Sequence, residues 1–329
     1  MAPRVPQSLQ PRPADYGFDL AAATSAVVGL RAAVPEDAFT ASVLGTERAG
    51  HGVVISDHGL VLTIGYLITE ADTIWLTPVV GPPVAGHALA YDLETGFGLV
   101  QALSRLPVPA MPIGNSAKAL VGDPVVIAGA GGPQHAIAAT IVAKREFAGY
   151  WEYVLDEAIF TAPAHPNWGG TALIGSKGQL LGIGSLRLEH DQDGPDQRGA
   201  ADNDADHLNM SVPIDLLKPV FEDLLHHGRP SNPPRPWLGF YATEVENRVV
   251  VIGLAGGGPA QRAGLRNGDV VQSVGGERVN SLAAMFRRVW ACGPAGVDIP
   301  LKLEREGRTI DSRIPSADRS SFFKTPRLH

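Results

Sequence analysis

Cysteine is nearly absent from this 329-residue chain. Its single cysteine, Cys292, can form neither an intramolecular disulfide nor a CxxC redox or metal motif. The fold therefore does not depend on an oxidising compartment.

Long hydrophobic runs are missing as well. The stretch 21–34 is interrupted by polar residues and is shorter than the roughly 20 residues that cross a bilayer. The first 20 residues carry charge and proline but not the apolar core of a secretory signal. We therefore expect a soluble, cytoplasmic protein that makes no contact with a membrane.

Positive charge is also in short supply, since the formal net charge is −7. A surface that binds nucleic acid needs clustered Lys and Arg, so we expect no nucleic-acid partner. No cofactor or metal is expected either. The acidic segment 189–207 faintly resembles a calcium loop at Asp191, Asp193 and Asp196, but it lacks the closing Glu. Its composition predicts a solvated loop.

Glycine (38) and proline (27), by contrast, are plentiful. They separate short runs rich in β-branched residues, a pattern typical of an all-β barrel or sandwich. No alternation of strands and helices indicates a parallel sheet. The predicted strands of the first 228 residues are 26–30, 52–56, 60–63, 73–76, 98–103, 124–128, 136–143, 180–186 and 209–213. An amphipathic helix is predicted over 213–227, capped by Gly228.

Proline marks the boundary between two domains. The predicted organisation is a flexible arm over 1–19, a β-rich domain over 20–228, a stiff linker over 229–235, a small α+β domain over 236–316 and a tail over 317–329. The second domain has predicted strands at 249–254, 270–274 and 299–304 and helical stretches at 260–263 and 281–291.

The segment 257–282 carries a long and specific motif, Pro-Ala-x-x-Ala-Gly-Leu-x-x-Gly-Asp-Val-Val. In this motif the second domain resembles a PDZ domain of the HtrA type. The resemblance implies a carboxylate-binding loop at Leu238, Gly239 and Phe240, where glycine lets backbone N–H groups converge on one point. Met285 and Val289, with Phe286, either line the side-chain pocket or belong to the core. The implied ligands are protein or peptide C-termini.

The first domain resembles the trypsin-like protease domain of HtrA proteins in three segments. They are GHGVVISDHGLVLTIGYLI (50–68), YDLETGFGLV (91–100) and DEAIFTAPAHPNWGGTAL (156–173). The resemblance implies a double β-barrel, so the fold class is mainly β, with the PDZ domain following. It also places the catalytic histidine, aspartate and serine at Tyr66, Gly96 and Trp168.

None of these three residues can do the chemistry of its position. Trp168 has no nucleophilic oxygen, Tyr66 has a phenol that is a poor base at neutral pH, and Gly96 has no side chain. A site rebuilt around His165, with Thr171, Ser176 or Ser185 as the hydroxyl, is the alternative.

Three functions remain open from the sequence. The leading one is a catalytically inactive HtrA-like pseudoprotease that binds proteins or peptides as a scaffold or adaptor. The alternatives are an active serine endopeptidase with a non-standard site and a structural subunit of a larger complex. Because relatives trimerise through aromatic residues before the first strand, the resemblance also implies a homotrimer held by Tyr16 and Phe18.

Overall fold

The computed structural model describes residues 5–189 and 207–324. The chain divides into two compact units. Unit 1 comprises Met1–Arg145, Glu157–Ser231 and Lys324–His329, and unit 2 comprises Glu146–Asp156 and Asn232–Phe323. The predicted fold class, mainly β with two trypsin-like barrels and a small α+β domain, is confirmed.

Unit 1 holds two closed antiparallel barrels of six strands. The first closes in the order β1-β2-β3-β6-β5-β4. Its strands are β1 (Val27–Ala33), β2 (Glu47–Val54), β3 (Leu60–Ile64), β4 (Thr73–Thr77), β5 (Val84–Tyr91) and β6 (Phe97–Ala102). Every residue of β3 is buried.

The second barrel closes in the order β10-β11-β12-β9-β8-β7. Its strands are β7 (Pro124–Ala128), β8 (Ala136–Gly149), β9 (Tyr153–Ala162), β10 (Ala172–Ile174), β11 (Leu180–Glu189) and β12 (His207–Pro213). The turn between β8 and β9, with the adjoining strand ends, is counted with unit 2. We call residues 146–156 the hairpin tip.

Unit 2 contains one sheet in the order β13-β14-β15-β17-β18, with β16 paired to β15. The strands are β13 (Phe240–Val245), β14 (Arg248–Leu254), β15 (Val270–Val274), β16 (Glu277–Arg278), β17 (Asp298–Arg305) and β18 (Arg308–Pro315). Two helices pack against this sheet, α4 (Pro259–Arg262) and α5 (Leu282–Ala291). Within the sheet, β13 is an edge strand.

Unit 1 has three short α-helices, α1 (Leu20–Ser25), α2 (Ala41–Leu44) and α3 (Phe221–His227). The single helix predicted over 213–227 is wrong, because a 3₁₀ turn at Ile214–Leu216 precedes α3 and the two are separate. Pro219 lies between them and cannot donate the backbone hydrogen bond that a continuous helix needs. The predicted cap is present, since Gly228 ends α3 in the left-handed conformation.

The N-terminal arm, expected to be flexible, contributes to a core. Val5 is only 2% exposed and belongs to the apolar cluster of the second barrel, with Leu9 packed against it. No helix in the described part of the chain is long and apolar enough to cross a bilayer.

Candidate functional site

The three residues predicted to occupy the triad positions lie together in unit 1. Tyr66 follows β3, Gly96 immediately precedes β6, and Trp168 lies in the loop before β10. The Gly65 N–H donates to the Gly96 carbonyl at 2.7 Å, which brings the first two loops into contact. The Trp168 side chain lies within hydrogen-bond reach of the Tyr66 hydroxyl. The structure therefore gathers Tyr66, Gly96 and Trp168 at one place.

The Tyr66 phenol is half-buried, and its hydroxyl is hydrogen-bonded. Its hydroxyl donates to the Ser185 carbonyl at 2.9 Å, and it lies 2.9 Å from where a Cβ on Gly169 would sit. Burial raises the pKa of the Tyr66 phenol far above its ordinary value, although the hydrogen bond with Trp168 acts in the opposite direction. A phenol that holds its proton so firmly cannot accept one as a general base near neutral pH.

Gly96 adopts a backbone conformation that side chains rarely tolerate, with φ +83°. The carboxylate of Asp92, four residues earlier, is buried and is used locally. It accepts from the Thr95 hydroxyl at 2.6 Å and from the Glu94 N–H at 3.1 Å, which closes the turn that leads to Gly96. Asp92 is therefore engaged in its own turn and is not free to orient a base at this position.

A substitution that the sequence analysis overlooked lies two residues before Trp168. In the serine-protease template, the backbone N–H groups of the nucleophile and of the residue two positions before it form the oxyanion hole. Here that earlier residue is Pro166, which has no N–H. The motif Gly-Asn-Ser-Gly-Gly, set against Pro166–Gly170, contained the signal. With Trp168 at the predicted nucleophile position, one of the two donors of the hole is absent by covalent structure.

Two histidines lie near this loop, and both are buried. The Ala130 N–H donates to His51 Nδ1 at 3.1 Å, so Nε2 carries the proton and donates to the Asn167 carbonyl at 3.1 Å. Burial, and then the nearby His165 ring, lower the pKa of His51 to about 4, against the backbone hydrogen bond to Asn167. His51 is therefore a neutral structural link to the loop that carries Trp168.

His165 is fixed in the same way. It is 2% exposed, its Nδ1 accepts from the Asn167 N–H at 3.1 Å, and its Nε2 donates to the His135 carbonyl at 3.0 Å. Burial lowers its pKa as well. The alternative hydroxyl Thr171 donates to the Trp168 carbonyl at 2.9 Å, and Ser176 is exposed. These contacts do not assemble a nucleophile with a base.

A buried arginine anchors the turn that carries Tyr66. Arg48 on β2 donates through Nη1 to the carbonyls of Tyr66 at 2.8 Å and Thr69 at 2.9 Å, and through Nη2 to the Thr40 hydroxyl. Glu70 accepts from the Thr40 hydroxyl at 2.6 Å and from the Lys324 N–H at 2.8 Å. Burial alone would raise the pKa of Glu70, but these hydrogen bonds hold it below its usual value.

A cleft of about 840 Å³ opens beside the loop that carries Asn167 and Trp168. Its walls come from β1, β2 and β4 and from the loops that carry Ala130 and Asn167. Trp75, half of whose surface is exposed, lies in its wall. The remaining lining residues are Gly29, Leu30, Arg31, Ala49, Gly50, His51, Thr77 and Pro83.

Metal binding has no support among the residues that the structure covers, since none of their His, Cys, Asp and Glu side chains form a group of three able to hold an ion. The calcium-like positions Asp191, Asp193 and Asp196 lie outside the described residues.

In unit 2, the residues expected at the carboxylate-binding loop lie between the sheet and α4. Gly239 has φ +74°, and a Cβ there would approach the Trp237 ring to 2.9 Å, so the position requires glycine. Leu238 and Phe240 turn their side chains into the core of unit 2. Met285 and Val289 of α5, with Phe286, are buried in the same core cluster. Their contact with a peptide stays a prediction.

Two family comparisons agree with this division. The trypsin-like peptidase domain family matches residues 50–183, and the PDZ domain family matches residues 236–315. Among curated proteins, the chain is 23% identical over 288 residues to the "Probable periplasmic serine endoprotease DegP-like" of Chlamydia trachomatis, with 82% of this chain and 55% of that protein covered. It is 24% identical over 333 residues to the "Serine endoprotease DegS" of Salmonella typhimurium, with 94% and 88% covered.

The chain thus spans about half the length of the DegP-like relative. Among solved structures, the HtrA-type protease AlgW with a tripeptide matches 91% of this chain and 95% of its own, at TM-score 0.51 and 22% identity. The serine endoprotease from Yersinia pestis matches at TM-score 0.51 and 24% identity, with 90% and 95% covered. The chain thus consists of a trypsin-like peptidase domain followed by a PDZ domain, and it is similar to HtrA-type proteases in sequence and in fold.

Proposed function

We propose that this HtrA-like protein does not hydrolyse peptide bonds and instead acts by binding protein or peptide chains. The observation that carries the proposal is the set of replacements at one place, with Tyr66, Gly96 and Trp168 at the triad positions and Pro166 in the oxyanion loop. Each removes a different requirement of the reaction, namely the base, its orienting carboxylate, the nucleophile and one N–H donor.

A second candidate is a serine endopeptidase with a rebuilt site, because the curated relatives are named serine endoproteases. The state of the histidines opposes it. His51 and His165 each have both ring nitrogens engaged by backbone groups, and both have lowered pKa values because they are buried. None of these four ring nitrogens is therefore open to take a proton from a hydroxyl.

The first experiment tests hydrolysis directly. The purified chain is incubated with unfolded casein between pH 6 and 9, and with a fluorophosphonate that labels activated serines. We expect no cleavage and no labelling, with trypsin as the positive control. Cleavage that follows this chain through gel filtration and persists in Trp168→Ala would support the rebuilt site and end the proposal.

The second experiment asks which part of the chain binds. Co-purification from the native cell is compared between the wild type and two variants at exposed apolar positions. Trp75→Ala alters the wall of the 840 Å³ cleft, and Leu103→Ala alters an exposed residue outside it. If the barrels contribute, Trp75→Ala loses the partner and Leu103→Ala retains it. A partner retained by both directs the binding to the PDZ domain, and the absence of any partner contradicts the scaffold function.

A further inference from the structure

The edge strand of the PDZ sheet is not bare. Strand β13 pairs with β14 along one side only. On the other side, the Ala242 N–H donates to the carbonyl of Tyr150 in the hairpin tip at 3.1 Å. The two tyrosine rings at this point, Tyr150 and Tyr241, meet edge to face with centroids 6.0 Å apart. A peptide that extends a sheet by one strand would use this same backbone donor.

The carboxylate-binding loop is occupied as well. The Leu238 N–H donates to Glu152 Oε2 at 3.3 Å, and the Gly239 N–H and the Trp290 indole also approach this carboxyl. Glu152 lies two residues beyond Tyr150. A ligand bound by its C-terminus would likewise place its terminal carboxylate in the loop and pair through the residue two positions earlier. The side chain of Glu152 therefore stands where a terminal carboxylate would.

The local backbone allows an internal segment to do this. Glu152 has φ +66°, a left-handed conformation. The chain therefore turns at the same residue whose carboxyl lies in the loop. The chain then returns through Val154, which is 7% exposed and belongs to the same core cluster as Leu238, Met285 and Val289. The tip thus supplies an aliphatic side chain in addition to the carboxyl.

Helix α5 holds the two arms of the tip. Arg287 pairs with Glu146 on the incoming arm and with Asp156 on the outgoing arm, each at 2.5 Å. On the other side, Arg319 donates to the Trp151 carbonyl at 3.3 Å. Unit 2 thus contacts the backbone of the tip, its carboxyl, its aliphatic side chain and both of its ends. A bound peptide ligand would be held by the same kinds of contact.

One contact is incomplete. Among the described residues, no group hydrogen-bonds Glu152 Oε1, although this atom is buried. Burial raises the pKa of Glu152 to about 8, against the charge of Arg319 and the donors of the loop. Arg319, beyond β18, is the charged group that acts on this carboxyl, and Arg235 lies 4.1 Å from the centroid of the Trp290 ring. Docking of the tip is therefore strongest below about pH 4.5 and weakens as the pH rises through about 8.

We propose that the hairpin tip is a tethered ligand that fills the peptide groove of its own PDZ domain, and that a C-terminal peptide of a partner binds by displacing it. The displacement, but not the occupancy, rests on the proposed binding function. The apparent affinity for any partner is then the affinity of the open groove multiplied by the fraction of molecules whose tip is released.

Occupancy is tested on the full chain by hydrogen exchange of the Ala242 amide, read by NMR. We expect this amide to be protected in the wild type and to exchange about tenfold faster in Arg287→Ala, which frees both arms of the tip. Arg288→Ala is the matched control, since Arg288 is the next residue of α5 and its ion pair among the described residues is with Glu277, outside the tip. An Ala242 amide that exchanges freely in the wild type would overturn the tethered ligand, whatever the protein binds.

Displacement is tested with a synthetic probe, acetyl-Ala-Gly-Tyr-Trp-Val, with a free or an amidated C-terminus. We expect the free acid to bind Arg287→Ala about tenfold more tightly than the wild type or Arg288→Ala, and the amide to bind weakly throughout. Wild-type affinity should rise between pH 6 and 9. Glu152→Gln, a neutral mimic of the protonated side chain, should show no such rise.

The outcomes separate the two ideas. Equal affinity of the free acid for the wild type and Arg287→Ala would show that the tip does not compete, and would overturn the displacement. A protected Ala242 amide with no probe binding in any variant would leave the occupancy standing and contradict peptide binding by this domain.

Discussion

His51 is kept neutral by its surroundings, and this makes the stability of unit 1 sensitive to acid. Its pKa falls from the ordinary 6.5 to about 4 because the ring is buried beside His165. Between these values the unfolded chain binds a proton that the folded chain refuses, so stability is present above about pH 6.5 and is lost as the pH falls towards 4. At pH 5, the loss from this residue is about 2 kcal/mol.

We therefore expect His51→Gln to lose about 2 kcal/mol less than the wild type between pH 7.5 and pH 5 in urea unfolding. His226→Gln is the control, because the His226 side chain is 71% exposed. It should follow the wild type. If His51→Gln and the wild type show the same dependence on pH, the histidine does not remain neutral in the fold.

Trp168 is half-buried and touches the Tyr66 hydroxyl, so we expect it to stabilise the junction of the loops around it. Trp168→Ser should lower the melting temperature, with a cost of about 1–3 kcal/mol, less than for a fully buried tryptophan. Trp75→Ser is the comparison, because the Trp75 side chain is 50% exposed and therefore more exposed than that of Trp168. This variant should lose less free energy of unfolding. An unchanged melting temperature for Trp168→Ser would mean that the tryptophan fills no space that the fold needs.

For individual residues, the sequence was enough to predict the side chains at the motif positions. It was not enough to predict effects that depend on backbone N–H groups. Tyr66, Gly96 and Trp168 could be found because the flanking motif residues survive. Pro166 was equally readable, but its effect lies in a missing N–H and not in a side chain. Glu152 could not be found, because its role depends on Leu238 and Gly239, which are 86 and 87 residues away and approach it only after folding.

Among the elements, strand β2 has a function beyond pairing, since its Arg48 satisfies carbonyls of the turn that carries Tyr66. Arg48→Met keeps the length of the side chain and removes its donors, leaving the Tyr66 and Thr69 carbonyls without their arginine partner. We expect a loss of about 2–3 kcal/mol in urea unfolding. Arg31→Met, on the paired strand β1, is exposed and should lie within about 0.5 kcal/mol of the wild type. Equal stability of the two variants would contradict the anchor.

The strands predicted from β-branched runs are largely present, whereas those that lack such runs were not predicted. Strand β5 reads Val-Ala-Gly-His-Ala-Leu-Ala-Tyr, with most of its residues only half-buried, so neither composition nor alternation marks it. Strand β10 is three residues long. Strand β9 was seen only as a catalytic motif, and β8 continues to Gly149, six residues beyond its predicted end. That extension is what carries the hairpin tip.

For the whole molecule, the resemblance predicts a homotrimer held by Tyr16 and Phe18. Their rings lie 5.5 Å apart, but they differ in their surroundings, because Phe18 packs against Gly178 of its own chain. We therefore expect sedimentation to give three times the chain mass of 34.6 kDa for the wild type and a lower mass for Tyr16→Ala. Phe18→Ala should in addition lower the melting temperature. A wild-type monomer would reject the prediction.

The backbone at two positions, Gly96 and Pro166, limits how far side-chain substitution alone could build a serine-protease site here. Tyr66→His, Gly96→Asp and Trp168→Ser would restore three side chains, yet the carboxylate would have to arise on a residue at φ +83°, where an L-residue is strained by roughly 1–2 kcal/mol. Pro166 would still withhold an N–H donor whose loss costs about 10²–10³ in rate. Any one of these substitutions would therefore add little without the others. Under the proposed function, restoring the three side chains would not by itself restore hydrolysis, because the backbone at Gly96 and Pro166 also departs from what the reaction needs.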